Sequence, residues 1–205
     1  NSVATGSITG DANVDMVVTN ELANTVTLWS GNGDGTFTQS GSAMRTGHRP
    51  FDIRLVDVDN DSHDDIVTVN IGNRNLSLLL SNGNATFAPA ISIPIAGNPG
   101  SLEIADMNMD GLQDLVVGIL GQSEIQVITN QGGGRIAFSR SQGAGNLNYY
   151  GHDIAVADLD NDLAPDIASI EAGRIISNGT QLSVHNVLLN TVKSAPHSVS
   201  LFGGQ

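Results

Sequence analysis

The apolar positions of the chain fall in short runs cut apart by Gly, Asn and Asp, and the runs come in a fixed order. A run such as "DIRLV" from Asp52 or "DIAVA" from Asp153 leads into an acidic stretch, and an apolar run follows directly: "DMVVTN", "DIVTVN", "DLVVGI" or "DIASIE". After a Gly- or Asn-containing break come "TVTLWS", "LSLLLS" and "IQVITN". The turns "GNGDGTF", "SNGNATF" and "NQGGGRIAF" then lead to Phe37, Phe87 and Phe138, where a fourth strand is predicted to start. Runs this short, bounded by turn residues, predict β-strands, and near-continuous apolar character suits strands covered on both faces.

The order recurs. "DVDNDSHDDIV" from Asp57 returns as "DMNMDGLQDLV" from Asp106 and "DLDNDLAPDIA" from Asp158, with a fainter copy, "SITGDANVDMV", from Ser7. The starts at 7, 57, 106 and 158 lie 50, 49 and 52 residues apart, and Ser2, Asp52, Ser101 and Asp153 stand five residues before them. Four strands repeating at about fifty residues is the signature of propeller blades. The fold expected is an all-β β-propeller of about four four-stranded blades in one domain, with repeats at about 1–50, 51–99, 100–151 and 152–205. A β-sandwich also spaces strands regularly, yet does not need an acidic loop recurring in phase.

Composition narrows the partners. The 205 residues carry a formal net charge of −13 with only 8 Lys plus Arg, which disfavours nucleic acid and anionic lipid and favours cations. The longest apolar runs, such as "LVVGIL" from Leu115, are too short to cross a bilayer, and no signal segment is visible. With no Cys there is no disulfide framework, thiolate metal site or cysteine nucleophile. Sequons at Asn75, Asn84 and Asn178 permit glycosylation in a eukaryotic secretory route.

The loops explain the acidity. Oxygen-bearing side chains occupy positions 1, 3, 5 and 9: Asp57, Asp59, Asp61 and Asp65; Asp106, Asn108, Asp110 and Asp114; Asp158, Asp160, Asp162 and Asp166. Carboxylates this close repel by roughly 1 to 4 kcal/mol per pair near a surface, so a positive partner is expected among them. Alternate oxygens on a tight loop suit a hard cation with six or seven ligands at about 2.3–2.6 Å, and calcium outranks magnesium and zinc. Position 7 is His63, Leu112 or Ala164, an indifference that points to a backbone carbonyl and not to an imidazole ligand. An EF-hand would need a carboxylate at position 12, where Thr68, Val117 and Ser169 stand. In the first loop Ser7 and Thr9 leave only Asp11, Asp15 and the carbonyl of Asn13, so weak binding or none is expected there. About three calcium ions, structural in role, would bring the charge from −13 to −7.

No catalytic constellation stands out. The five histidines, His48, His63, His152, His185 and His197, lack helical pairing, and "GSITG" around Ser7 lacks the strand-to-helix context of a nucleophile elbow. "GNGDG" from Gly31 precedes a strand and reads as a turn, not a phosphate cradle. For sugar stacking, the aromatic candidates left after the periodic Phe residues are Trp29, Tyr149 and Tyr150, which packing between strands would equally employ.

Read together, the loops, "GNGDGTF", and the approaches His48-Arg49-Pro50 and Gly97-Asn98-Pro99 resemble the FG-GAP or VCBS repeats of integrin α-chain propellers and bacterial secreted proteins. The resemblance implies a calcium-stabilised propeller, secreted or at the cell surface, that binds a protein or glycan ligand. A non-catalytic recognition or adhesion module is the function expected. The alternatives are a propeller domain of a secreted carbohydrate-active enzyme or lectin, and a structural subunit of a self-assembling surface array. Such propellers usually have seven blades, so four repeats would close as a small propeller or form an arc of a larger one. "APHSVSLF", ending at Phe202, reads as the opening strand of a fifth repeat.

Overall fold

A computed structural model describes residues 2–120, 124–132, 136–143, 151–159, 161–171, 184–190 and 199–201. The described residues contain sixteen strands and no helix. They form four antiparallel four-stranded sheets, each an up-and-down meander in chain order. The first comprises β1 (Val3–Gly6), β2 (Asp15–Asn20), β3 (Thr25–Gly31) and β4 (Phe37–Arg45). The second comprises β5 (Pro50–Val56), β6 (Asp65–Asn70), β7 (Asn75–Leu79) and β8 (Ile91–Pro94). The third comprises β9 (Asn98–Ala105), β10 (Asp114–Leu120), β11 (Glu124–Asn130) and β12 (Ile136–Gly143). The fourth comprises β13 (Gly151–Ala157), β14 (Asp166–Glu171), β15 (Val184–Asn190) and β16 (Val199–Leu201).

One repeat thus makes one sheet, and the acidic loop always joins its first two strands. Contacts divide the chain into two compact units, Asn1–Ile95 with Gln131–Arg135, and Ala96–Asn130 with Ile136–Gln205. In the first unit Val17, Val26 and Leu28 of the first sheet pack against Ile53, Ile66 and Leu79 of the second. Strand alternation puts the first three on one face, since Val17 stands opposite Leu28 and Thr19 opposite Val26. In the second unit Val116 and Ile125 of the third sheet meet Ile154 and Ile167 of the fourth in the same manner. The Ser2 hydroxyl also donates to the Asp52 carboxylate at 2.9 Å, joining equivalent positions of neighbouring repeats.

Two strand assignments need correcting. No strand starts at Phe87: it makes an isolated bridge with Ser81, and β8 begins only at Ile91. Pro89 explains the gap, because it has no N–H to give the ladder. Nor do Val199–Leu201 open a fifth repeat. They pair antiparallel with β15, Leu188 opposite Leu201, and so complete the fourth sheet. First strands also begin before the expected Asp52, Ser101 and Asp153, and a bulge breaks the register near the start of β5, β9 and β13.

Candidate metal centre

Each acidic loop is a turn built on its own carboxylates. The position-1 aspartate caps the loop: Asp57 accepts the N–H groups of Asp61 at 3.1 Å and Ser62 at 2.8 Å. Asp106 does the same for Asp110 and Gly111, and Asp158 for Asp162 and Leu163. At position 5, Asp61, Asp110 and Asp162 each accept the N–H two residues on, at 2.9 Å. These short Asx turns curl the backbone through left-handed conformations at positions 4 and 6, with φ of 63° at Asn60 and 71° at Ser62.

The position-9 aspartates do something the spacing did not reveal. Asp15, Asp65, Asp114 and Asp166 are completely buried at the start of the second strand. One oxygen of each accepts the position-2 N–H, from Ile8, Val58, Met107 and Leu159, at 2.8–3.0 Å. In the first three the other oxygen accepts an N–H sixteen residues on, at or just past the end of the third strand: Gly31 for Asp15, Ser81 for Asp65 and Asn130 for Asp114. The carboxylate therefore staples the loop to the far side of its sheet. Burial pushes Asp65 up to about 6 despite the Ser81 and Val58 donors, and nearby Asp59 and Asp61 push it the same way. Burial likewise raises Asp114. At Asp15 burial is outweighed by the N–H donors of Thr9, Ile8 and Gly31, and its carboxyl lies below the ordinary value.

The second loop gathers charge most tightly. One oxygen from each of Asp57, Asp59 and Asp61 lies within 4.8 Å of the others, the one such cluster among the described residues. Asp59 Oδ1 is buried and has no hydrogen-bond partner. Desolvation raises the Asp59 pKa, with Asp61 and Asp57 adding repulsion. A buried acceptor without a donor, facing two further carboxylates, fits a hard cation and is costly without one. In the third loop the Asn108 amide donates to Asp110 at 2.9 Å and supplies internally part of what an ion would give. In the first loop Asn13 turns back onto Asp11. Asp160 lies outside the described residues, so the fourth loop is placed at Asp158, Asp162 and Asp166 only.

At position 7 of the first two loops the side chain packs on the turn between the third and fourth strands. A Cβ on Gly83 would collide with the His63 imidazole, and one on Gly33 would come within 2.7 Å of Asn13 Oδ1. Ala164 is buried. Leu112 donates its N–H to Asp110. One acidic residue escaped the spacing argument: Asp64, at position 8, accepts the Ser7 N–H of the neighbouring repeat, and burial raises its pKa. Nothing in the sequence flags it, since Val14, Gln113 and Pro165 hold the equivalent positions.

Of the aromatic candidates, Trp29 lines an open groove of about 520 Å³ on one face of the first sheet. Met16, Val18 and Asn20 of β2, Thr27 of β3, and Phe37 and Gln39 of β4 complete it. Alternate positions of adjacent strands form this face, Met16 opposite Trp29 and Trp29 opposite Gln39. Tyr149, Tyr150, Phe202, His197 and the Asn178 sequon lie outside the described residues. The Asn75 sequon is buried, its amide bonded to Ser92 and Asn70, whereas Asn84 is exposed.

Meander sheets, one per repeat and each opening on an Asp-rich loop, define an all-β, β-propeller-like repeat protein. The FG-GAP-like repeat family matches residues 8–68, 57–117 and 106–169 in overlapping copies, and the chain belongs to that family. No curated protein sequence matches it. Among solved structures it is similar to "a functionally unknown protein from Desulfotomaculum acetoxidans DSM 771", with TM-score 0.61 and 17% identity over 91% of this chain and 52% of that one. It is similar to BBS1N in its complex with ARL6DN, with TM-score 0.56 and 17% identity over 89% of this chain and 56% of that one. It also resembles part of the Photorhabdus luminescens Tc holotoxin pore, with TM-score 0.55 and 15% identity over 91% of this chain and 10% of that one. The chain therefore spans little more than half of these structures at most, and the likeness is one of fold.

Proposed function

We propose that the protein is a non-catalytic, calcium-stabilised β-propeller module that serves recognition or adhesion outside the cell. The observation that carries the metal is the second loop, where three carboxylates converge and Asp59 Oδ1 is buried without a donor. Asp57, Asp59 and Asp61 would hold the ion, with the His63 carbonyl and the remaining lone pairs of Asp65 available to it. Asp106, Asn108 and Asp110, with Asp114 and the Leu112 carbonyl, and Asp158, Asp160 and Asp162, with Asp166 and the Ala164 carbonyl, would hold two more.

Bound calcium supplies the positive charge that these loops lack. It acts on folding, because a ligand that binds only the native state stabilises it by mass action. Calcium loops of extracellular modules bind at about 10⁻⁴–10⁻³ M, which suits a loop that is half solvated and built without a bidentate glutamate. The family membership and the acidic surface support the recognition role, since a chain of charge −13 has no electrostatic grip on nucleic acid or anionic lipid.

The test is calcium titration of chelator-stripped protein, followed by calorimetry and thermal melting. About three sites and a clear rise in Tm are expected, with Asp59→Ala losing one site and part of the rise. Absence of both binding and stabilisation would overturn the metal, and with it this reading.

A further inference from the structure

Charge in the first unit is sorted by end. Its two sheets carry the acidic loops at one end, with the turns that follow the third strands. At the other end lie the turns 21–24 and 71–74 and the connection 46–49. Residues 1–95 hold ten acidic side chains, and all but Glu21 and Asp52 stand at the loop end. The same stretch holds four arginines and no lysine: Arg54 lies within β5, and Arg45, Arg49 and Arg74 lie at the far end.

Hydrogen bonds draw that far end together. Asn24 accepts the N–H of Thr46 on its carbonyl at 3.0 Å and that of Arg49 on its side-chain oxygen at 2.8 Å. From the second sheet, Ile71 and Gly72 donate their N–H groups to the carbonyls of Arg49 and His48 at 3.1 and 2.9 Å. A Cβ on Gly72 would collide with the His48 imidazole, so that ring lies on the second turn. These are the ends of sheets and not their faces. Arg45, His48, Arg49 and Arg74 are exposed although the two sheets pack on one another.

The two acidic groups nearby are already engaged. Glu21 accepts two N–H groups of the Arg49 guanidinium at 2.6 and 2.9 Å, and Asp52 accepts Ser2, Ile53 and Arg54. Arg45 and Arg74 make no ion pair among the described residues. Arg49 and Arg74 have φ of 60° and 54°, a left-handed backbone that disfavours a long side chain; fifty residues before Arg74 stands Asn24, which suits it. An aromatic ring adjoins them. The register shifts between Pro50 and Asp52, so Phe51 is the extra residue of a bulge, and a bulge re-aims a side chain. Phe51 is 44% exposed, where the bulge of the third sheet has Gly100.

We propose that this end of the first unit binds an acidic glycan, with sugar carboxylates on Arg45, Arg74 and the Glu21-held Arg49 and a sugar ring on Phe51. Arginine forks match planar carboxylates, and an exposed aromatic ring offers an apolar face to a pyranose. The inference rests on the recognition reading and names its ligand class, but does not use the metal. A net charge of −13 does not oppose it: a six-residue strand spans about 20 Å, and at 0.15 M salt the loop charge is screened within about 8 Å. A nucleic acid strand engages a longer run of cations than this end presents.

The test is calorimetry with a hyaluronan hexasaccharide, in which glucuronate alternates with N-acetylglucosamine, in calcium and in chelator. Binding is expected at about 1 mM or tighter, equal in both buffers and weaker at high salt. Amide resonances of Arg49 and Gly72 should shift on titration while those of Asp61 and Gly83 stay. Arg74→Asn, which copies Asn24 and keeps the turn, should weaken binding about tenfold without loss of Tm. Phe51→Leu should weaken it about threefold or more. Asp34→Asn, an equal change of charge at the loop end that copies Asn84, should leave it as it is.

No binding at several times that concentration would overturn the proposal, as would binding that Arg74→Asn leaves intact. Equal affinity for the carboxyl-reduced hexasaccharide would show that charge is not read, and equal affinity for oligoglutamate or oligothymidylate that the sugar is not; either result overturns it. Binding lost in chelator would place the glycan at the acidic loops instead. Calcium stoichiometry and melting are read on the same samples, so failure of this site and failure of the calcium-stabilised reading are separate results.

Discussion

At the scale of single residues, the position-9 aspartate matters most, because it serves two structures at once. Asp65 accepts Val58 and Ser81 and stands beside Asp59 and Asp61. Replacing Asp65 or Asp114 with Asn keeps the size but turns one acceptor into a donor facing a backbone N–H. A loss of about 1–3 kcal/mol is expected, seen as a lower urea midpoint, even with chelator present. A loss confined to calcium buffer would mean that these residues act only as ligands. The raised pKa has its own consequence. In metal-free protein Asp65 titrates near 6, above its unfolded value of about 3.9. Between these values the folded state holds the extra proton, so this residue makes stability fall as pH rises from about 4 to about 6. Asp15, whose carboxyl is lowered, acts the other way: its contribution is present above the unfolded value and is lost as pH falls through the folded one. Melting of chelator-stripped Asp65→Asn against wild type across that range checks the sign, since the wild-type decline should flatten in the variant.

At the scale of elements, the loops hold their shape partly against backbone preference. Position 6 is left-handed in three of them, with φ of 71° at Ser62, 87° at Gly111 and 72° at Leu163. A Cβ on Gly111 would meet nothing within 4 Å, so Gly111→Ala isolates the conformational cost, about 1 kcal/mol of destabilisation. Leu163 is 85% exposed, and Leu163→Gly should be neutral or stabilising by about 0.5 kcal/mol, as relief of strain exceeds the entropy glycine adds to the unfolded chain. Equal urea midpoints for wild type and Gly111→Ala would show that this turn is not left-handed in solution. Most of the element order was legible in the sequence, because second and third strands read as apolar runs, most plainly β6, β7 and β10, which are buried on both faces. The fourth strands were legible only in part: β4 starts at Phe37 and β12 two residues before Phe138, whereas Pro89 delays β8 and β16 carries no Gly-rich turn or Phe before it. The second loop's cluster of Asp57, Asp59 and Asp61 was legible through alternation alone. The stapling role of position 9 was not, because its second partner lies sixteen residues away across the sheet, and no spacing within the loop points there.

At the scale of the whole molecule, the charge of −13 raises the question of whether calcium acts by binding or by screening. The two separate by distance. At about 0.15 M salt the screening length is about 8 Å, so monovalent ions damp repulsion between loops but leave largely intact the repulsion among carboxylate oxygens that lie within 4.8 Å. That short-range part is the larger, roughly 1 to 4 kcal/mol for each pair. Chelator-stripped protein should therefore gain only modestly in Tm as sodium chloride rises from about 10 to 150 mM, a span over which the screening length falls from about 30 to 8 Å. A few millimolar calcium chloride at matched ionic strength should then add a larger increment, several degrees for each kcal/mol in a small domain and less in a chain of this size. Magnesium at the same concentration should add less, because it keeps its waters and its octahedral geometry where these loops offer flexible oxygens. Asp59→Ala should shrink the calcium increment and leave the sodium one alone, since it removes the buried oxygen that has no other partner. If sodium chloride at matched ionic strength raises Tm as far as calcium does, the loops are screened and not occupied, and the acidic repeats are surface charge carried on a propeller-like frame.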